Sequence, residues 1–401
     1  MLFKPAMHLR IILVLALVCA SAIIVAAQSS AAAAFHKLLV DKAAFTSEEF
    51  FVLNKGDIVV KILKAKEKRQ ISVFGIVRLQ NVPDLDMTMF RESLSQKSNK
   101  AVLDGAKFST PPVLQDIGSL KIDDRDLDDM KTCVVGDCKL KLPARIINRL
   151  QTDVEWNAPE HKLQAVSVFK QFLVDYAGDY LVRGDQALIE LVDKRKPVRL
   201  VDEYRILLDS SVFIRGLAPE FDNYLRRYPE AELPGVENRL DWSKVGSGLK
   251  PIITVTHGTA YAKKADDFSS LLIATKQLYA SHYIDASLAL SSLVRIGADD
   301  KADTYLIFTD ISSSDALGGA FSAMAHGVVE GEALERVNDL LQRAKVRIET
   351  RSSIQAQPTT VADESGSLSW IADIRRNWIF GIVAFLVLSV IGILGFRKLR
   401  R

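Results

Sequence analysis

The side chains that could do chemistry in this chain are few, and they fall in two places. Cys133 and Cys138 enclose Gly136 in a C-x4-C spacing, and the one other cysteine, Cys19, sits in the apolar N-terminal run. In an oxidising compartment an even pair this close in sequence should form a disulfide, Cys133–Cys138, closing a small loop, with two free thiols as the alternative. A metal site would need further ligands, and the neighbouring aspartates are hard donors poorly matched to thiolates. Redox-active pairs are usually spaced C-x-x-C. The six histidines, His8, His36, His161, His257, His282 and His326, form no H-E-x-x-H or comparable set. No G-x-S-x-G, P-loop or dinucleotide fingerprint occurs. What remains is His257, His282, Asp285 and Asp310. The two histidines could meet across neighbouring strands, and the two aspartates could form a carboxylate pair or lie on a sheet surface. A hydrolase-type enzyme would use His257, His282 and Asp285.

These residues belong to the block Pro251–Ile311, where apolar and polar positions alternate as in a curved antiparallel sheet. In its first strand Ile253, Val255, His257, Thr259 and Tyr261 share a face, because successive side chains point to opposite sides. In the long second run, the even positions from Leu272 to Leu290 are apolar except for Lys276 and His282. The odd positions Thr275, Gln277, Ser281, Asp285 and Ser287 read as a solvated face. The run is too long for one strand and must bend or divide near Ser281–Asp285. Lys276 and His282 are either satisfied core positions or the polar groups of an apolar pocket. In the second case Lys276, Leu278, His282 and Ile284 line the site, with His257 and Tyr261 opposite.

Around this block, Asp57–Leu63 and Ile71–Leu79 read as a hairpin, and Pro83–Asp84 opens a helix ending near Leu94. Residues 28–55 read as a lead-in, and Lys107–Leu142 as loop-rich apart from an acidic helical turn at Asp123–Met130. From about residue 143 to 230 helical patterns dominate. Glu160–Val182 carries an apolar stripe including Leu163, and Val201–Leu208 and Pro219–Arg227 are shorter helices. A closing helix over Val329–Ile348 has acidic first turns and a basic end, matching its dipole, and should pack across the apolar face of the sheet.

The ends suggest a topology. Lys4 and Arg10 precede an apolar run, and Val25-Ala26-Ala27 offers a cleavage site, so residues 1–27 read as a signal peptide. Residues 351–377 form a polar tether, and Trp378–Phe396 is free of charge and about long enough to cross a bilayer. Arg397, Lys398, Arg400 and Arg401 then place the tail, residues 397–401, in the cytoplasm. The expected location is a bacterial inner membrane, with one span and the domain of residues 28–350 facing the periplasm or exterior. A net charge of +3 is too balanced for nucleic acid, and the short basic runs lack interleaved aromatics.

A strand entering a Pro-led helix, several long antiparallel strands and one long C-terminal helix resemble the START-like, or helix-grip, superfamily. The block KPIITVTHGTAYA…ATKQLYASHYIDASLALSSLV…YLIFTD is also similar to uncharacterised exported, membrane-anchored bacterial proteins. The resemblance implies a bent sheet wrapped round a long helix with a hydrophobic cavity between them. It carries over no functional residue. The expected fold is therefore α+β: a main sheet over residues 251–311 packed on the helix of residues 329–348, a helical insertion over 143–230, and a C-terminal transmembrane helix. The expected function is non-enzymatic binding of a lipid or other apolar small molecule by a membrane-tethered domain, with no cofactor and no metal. A structural or partner-binding role, its protein partner unspecified, and the hydrolase are the alternatives.

Overall fold

A computed structural model describes residues 31–94, 102–246, 250–265, 267–297, 302–318 and 322–355. The expected signal peptide, most of the tether, the transmembrane segment and the tail lie outside these residues. No described helix is long and apolar enough to cross a membrane.

The protein is α+β, as expected, and its sheet is larger than the sequence suggests. Residues 31–43 (α1) and Ser47–Asn54 (α2) are helical, so most of the described part of the lead-in is two helices. The N-cap of α2 is Thr46, in a reciprocal capping box with Glu49. The hairpin β1 (Val59–Leu63) and β2 (Gln70–Leu79) leads to α3 (Met87–Leu94) and β3 (Val102–Lys107). The insertion follows, with α4 (Asp124–Thr132), α5 (Ala144–Thr152), α6 (His161–Arg183), the two-residue strands β4 (Glu190–Leu191) and β5 (Val198–Arg199), α7 (Leu200–Ser210), α8 (Val212–Leu217) and α9 (Pro219–Arg227). The chain returns to the sheet through β6 (Glu237–Val245), β7 (Ile252–Lys264), β8 (Phe268–Ala280), β9 (Ala286–Ile296) and β10 (Asp303–Ser313), and ends in α10 (Ser322–Gln355).

Eight strands form one antiparallel sheet in the order β1-β2-β10-β9-β8-β7-β6-β3. The insertion therefore runs from the end of β3 to the start of β6, wider than residues 143–230. The long run divides where expected, at residues 281–285 between β8 and β9.

Both faces of the sheet are buried, and this overturns two expectations. The even positions Leu272, Ala274, Leu288 and Leu290 pack with Phe74, Ile76 and Ile307 against α1, α2 and α7–α9. The closing helix lies on the other side. There Val337, Leu340, Leu341, Ala344 and Ile348 of α10 lie over β1, β2 and β10 and share one apolar cluster with Val73, Val77, Leu306, Phe308, Ile273 and Leu293, with Phe90 of α3 alongside. A Cβ at Gly75 would stand 2.6 Å from both Val337 and Leu341, so glycine is what lets α10 seat against β2. The odd positions Thr275, Gln277, Ser281, Asp285 and Ser287 are all buried, not solvated. An antiparallel sheet can leave one face to water, but here helices cover both.

One irregularity scrambles the parity of β8. Thr256 pairs with Gln277 but Val255 pairs with Tyr279, so Leu278 is an extra residue. Leu278 and Tyr279 consequently join the same cluster, under Phe169 and Phe172 of α6. The β8–β9 ladder ends at Lys276–Leu288, leaving nearby carbonyls to find other partners. The insertion supplies them: Tyr176 donates to the carbonyl of Leu278 at 3.0 Å, and Tyr204 donates to that of Gln277. Leu163, expected in the apolar stripe of α6, is 72 % exposed.

Candidate functional site

The six residues expected to line one pocket are divided among separate environments. Lys276 and His257 face each other across β7 and β8, but both are occupied. Lys276 is ion-paired with Asp185 and its ammonium lies 4.5 Å from the ring centre of Tyr204. Burial pulls its pKa down, and the Asp185 carboxylate opposes that pull. The ring of His257 shares hydrogen bonds with Tyr180 at 3.0 Å and with Asn238 at 2.9 Å. Burial and the neighbouring Lys276 charge lower its pKa to about 3, so it is neutral at any ordinary pH. The void between Tyr180, Leu208, His257 and Lys276 is about 10 Å³, too small for an organic ligand. Tyr261 stacks on Phe221 of α9 and its hydroxyl reaches Glu220.

His282 belongs to another network. Its two ring nitrogens face the Lys139 carbonyl and Asp126, each at 3.2 Å, and Lys250 pairs with Asp126 and Asp129. His282 and His257 share no partner among the described residues. Ile284 lies apart again, with Ile71, Ile252, Leu317 and Val329. Asp285 sits in a third network: it accepts from Lys141 at 2.5 Å and from Arg69 at 3.1 Å, and Arg69 also holds Glu203 and Asp315. Burial pulls Lys141 down, but Asp285 and Asp193 outweigh it and the net shift is upward. This network bolts the insertion to the end of the sheet. Cys133 and Cys138 stand at disulfide distance, with Cα atoms 4.5 Å apart. The loop they enclose hydrogen-bonds to Val192 and Asp193.

The opposite face is chemically different. Asp310 neither pairs with Asp285 nor lies on an exposed sheet surface: it is buried and accepts hydrogen bonds from Ser287 at 3.0 Å and Ser312 at 3.1 Å. Both donors are neutral hydroxyls. Burial raises its pKa to about 7. Further along this face Asp241, Thr256 and Gln277 lie side by side on β6, β7 and β8, as their register requires. All three are at most 2 % exposed. Asp241 Oδ2, Thr256 Oγ1 and both amide atoms of Gln277 are buried without a hydrogen-bond partner among the described residues. Burial raises the pKa of Asp241 to about 7, against the pull of Arg239, which donates to Oδ1 at 2.6 Å. Unmatched buried polar atoms are uncommon in folded proteins, and each costs about 1–3 kcal/mol. Four of them in one row mark the strongest candidate for a site.

Sequence reasoning passes over this row because alternation puts Gln277 on a solvated face and the strand that carries Asp241 does not read as one. A signal against that is present: the odd positions of β8 are Ser269, Leu271, Ile273, Thr275, Gln277 and Tyr279, with no Lys or Glu among them. A long solvated strand face ordinarily carries charge. No group of three or more His, Cys, Asp or Glu side chains able to hold a metal ion occurs among the described residues. Comparison with known proteins finds no matching family model, no matching curated protein and no matching solved structure.

Proposed function

We propose that this chain is a non-enzymatic, membrane-tethered binding domain of the helix-grip type, holding an amphipathic, lipid-like ligand between α10 and the sheet. Support for the helix-grip reading comes from the element order, with β2 leading to α3, a run of antiparallel strands, and α10 returning across β2. The insertion departs from that plan by covering the outer face. The tether and its orientation rest on Trp378–Phe396 and the basic residues after it.

The single observation that carries the reading is the row Asp241–Thr256–Gln277, whose unmatched atoms would hold a polar head. Ala260, Ile273, Ala289, Leu293 and Phe308 on the same face would meet an apolar body. The Lys276–His282 side does not serve, because Lys276 and His282 are already engaged by Asp185 and Asp126 and the void beside Lys276 is about 10 Å³.

The test is native mass spectrometry of the full-length protein in detergent, with and without Thr256→Val. The parent should carry a co-purified small molecule, and Thr256→Val should lose most of it while folding at least as stably, since it removes an unmatched hydroxyl. A parent that carries nothing after mild extraction, or a variant that carries as much, removes the proposal. Partner binding by the insertion is the second reading, favoured by Leu163 and Val182 of α6, 72 % and 76 % exposed, and by Val134 and Val135 on the cysteine-closed loop, both about half exposed. A pull-down lost on Val182→Lys with the small-molecule content unchanged would select it.

A further inference from the structure

A second cavity, of about 310 Å³, opens at the end of the edge strand β1, away from the row described above. That volume is at the lower end of small-molecule pockets. Its apolar walls come from Ile62, Leu63 and Ile71, and Gln70 forms part of it. The N-terminal half of α10 closes it with His326 and Glu330, and the β1–β2 turn contributes Lys64 and Glu67. None of these residues belongs to the row Asp241–Thr256–Gln277.

Two features give the cavity a chemical preference. Gln70 is 1 % exposed, and neither the oxygen nor the nitrogen of its amide has a hydrogen-bond partner among the described residues. An amide lost from water without compensation is costly, and its natural complement is a group that offers one donor beside one acceptor. The carboxylates are also loosely engaged. Glu67 lies 3.9 Å from Arg69, and Glu330 lies 3.5 Å from Nδ1 of His326, whose Nε2 is turned to the Lys68 carbonyl at 2.6 Å. With one lysine against two carboxylates, the lining favours a neutral or cationic guest over an anionic one.

We propose that this cavity binds a small carboxamide, with Gln70 pairing with the amide and Glu67 and Glu330 favouring a positive charge beside it. Such a group is found both in free carboxamides and at the amino end of a short peptide. The probes glycinamide and propionamide separate the two: the first carries an ammonium next to its amide and the second does not. Propionate matches propionamide in shape but lacks the N–H donor and bears the wrong charge.

The experiment follows the side-chain amide resonances of Gln70 in full-length protein labelled at glutamine, during titration with each probe. Both amides should shift the Gln70 signals, glycinamide at several-fold lower concentration, and propionate should not. Gln70→Met should abolish the binding of both amides while raising the melting temperature of the unliganded protein, because it removes an unmatched polar group. Glu330→Gln should narrow the advantage of glycinamide over propionamide, Glu67→Gln with Glu330→Gln should abolish it, and both should leave propionamide unchanged. Ala65→Leu, which fills the cavity without touching Gln70, should block both. Equal shifts with propionate, or unchanged amide binding in Gln70→Met and Ala65→Leu, would overturn the proposal. These outcomes do not depend on Thr256, so the two sites can fail separately.

Discussion

The two faces of the sheet handle buried polarity in opposite ways. Towards the insertion, ionisable groups are buried with hydrogen-bonded or ion-paired partners: Lys276 with Asp185, His282 with Asp126, and Asp285 with Lys141 and Arg69. Towards α10 the polar groups are mostly small and neutral, burial raises the pKa values of the Asp241 and Asp310 carboxyls to about 7, and several atoms have no partner among the described residues. Paired burial marks a joint, because each pair fixes one element against another. Unpaired burial gains nothing for the fold by itself. The contrast therefore separates the residues that assemble this protein from those left free to engage something else.

The largest effect should come from breaking the joint. Lys141→Met leaves Asp285 and Asp193 without their buried cation, and losing one member of a buried pair typically costs about 3–5 kcal/mol. Urea unfolding of the full-length protein reads this directly. A loss below about 1 kcal/mol would mean that Arg69 alone carries the joint.

Next in size is a pH effect on the α10 side. The folded-state pKa of Asp310 is about 7, above its usual 3.8. Between those values the folded protein keeps a proton that the unfolded chain has lost. Stability is thus greatest at the acid end of this window, falls as pH rises through it, and stays reduced above about pH 7. The full span is on the order of 4 kcal/mol. Asp310→Asn should flatten the slope of melting temperature between pH 4.5 and 8 and be more stable than the parent at pH 8. Asp241 adds a slope of the same sign, so part of it should remain. An unchanged slope would show that Asp310 is hydrated in solution.

The smallest effect concerns how α10 seats. Gly75→Ala places a methyl 2.6 Å from Val337 and Leu341, overpacking a tight contact at a cost of about 1–3 kcal/mol. The added strain should raise amide exchange along α10 more than along α7, measured by mass spectrometry. Equal loosening of both helices would mean that the two faces are one cooperative layer and would blunt the comparison.

Much of this architecture is legible in the sequence. The hairpin, the break between β8 and β9, α6, α7, α9 and the closing helix all follow from turn residues and periodicity. The strands β3 and β6 are hidden for a physical reason. Gly105 and Asp104 weaken the strand signal of β3, and Glu237, Asn238, Arg239 and Asp241 give β6 the composition of a loop. Period-2 alternation says that two faces differ, and Leu272–Leu290 does alternate. It does not say what covers each face, so equating apolar with buried and polar with solvated fails here. The candidate site is misplaced for a related reason. One extra residue at Leu278 and a turn at residues 281–285 send Lys276, Leu278, His282 and Ile284 to different neighbours, and a bulge leaves no clear mark in sequence.

The position of β2 in the strand order bears on how the chain reaches this fold. β2 lies between β1, its neighbour in sequence, and β10, and the Arg78–Asp303 ion pair along that seam joins residues 225 positions apart. A chain emerging from its amino end can form the β1–β2 hairpin early, yet a lone hairpin is marginal in water. Its second partner arrives only after the whole insertion and four more strands have been made. Contacts of such long range are slow to form, because the entropy of closing the intervening chain is spent before any reward. For most of its synthesis the growing chain thus exposes the pairing edge of β2, an apolar strand open to other strands. The nascent protein should depend on a holding chaperone until its last strand is out.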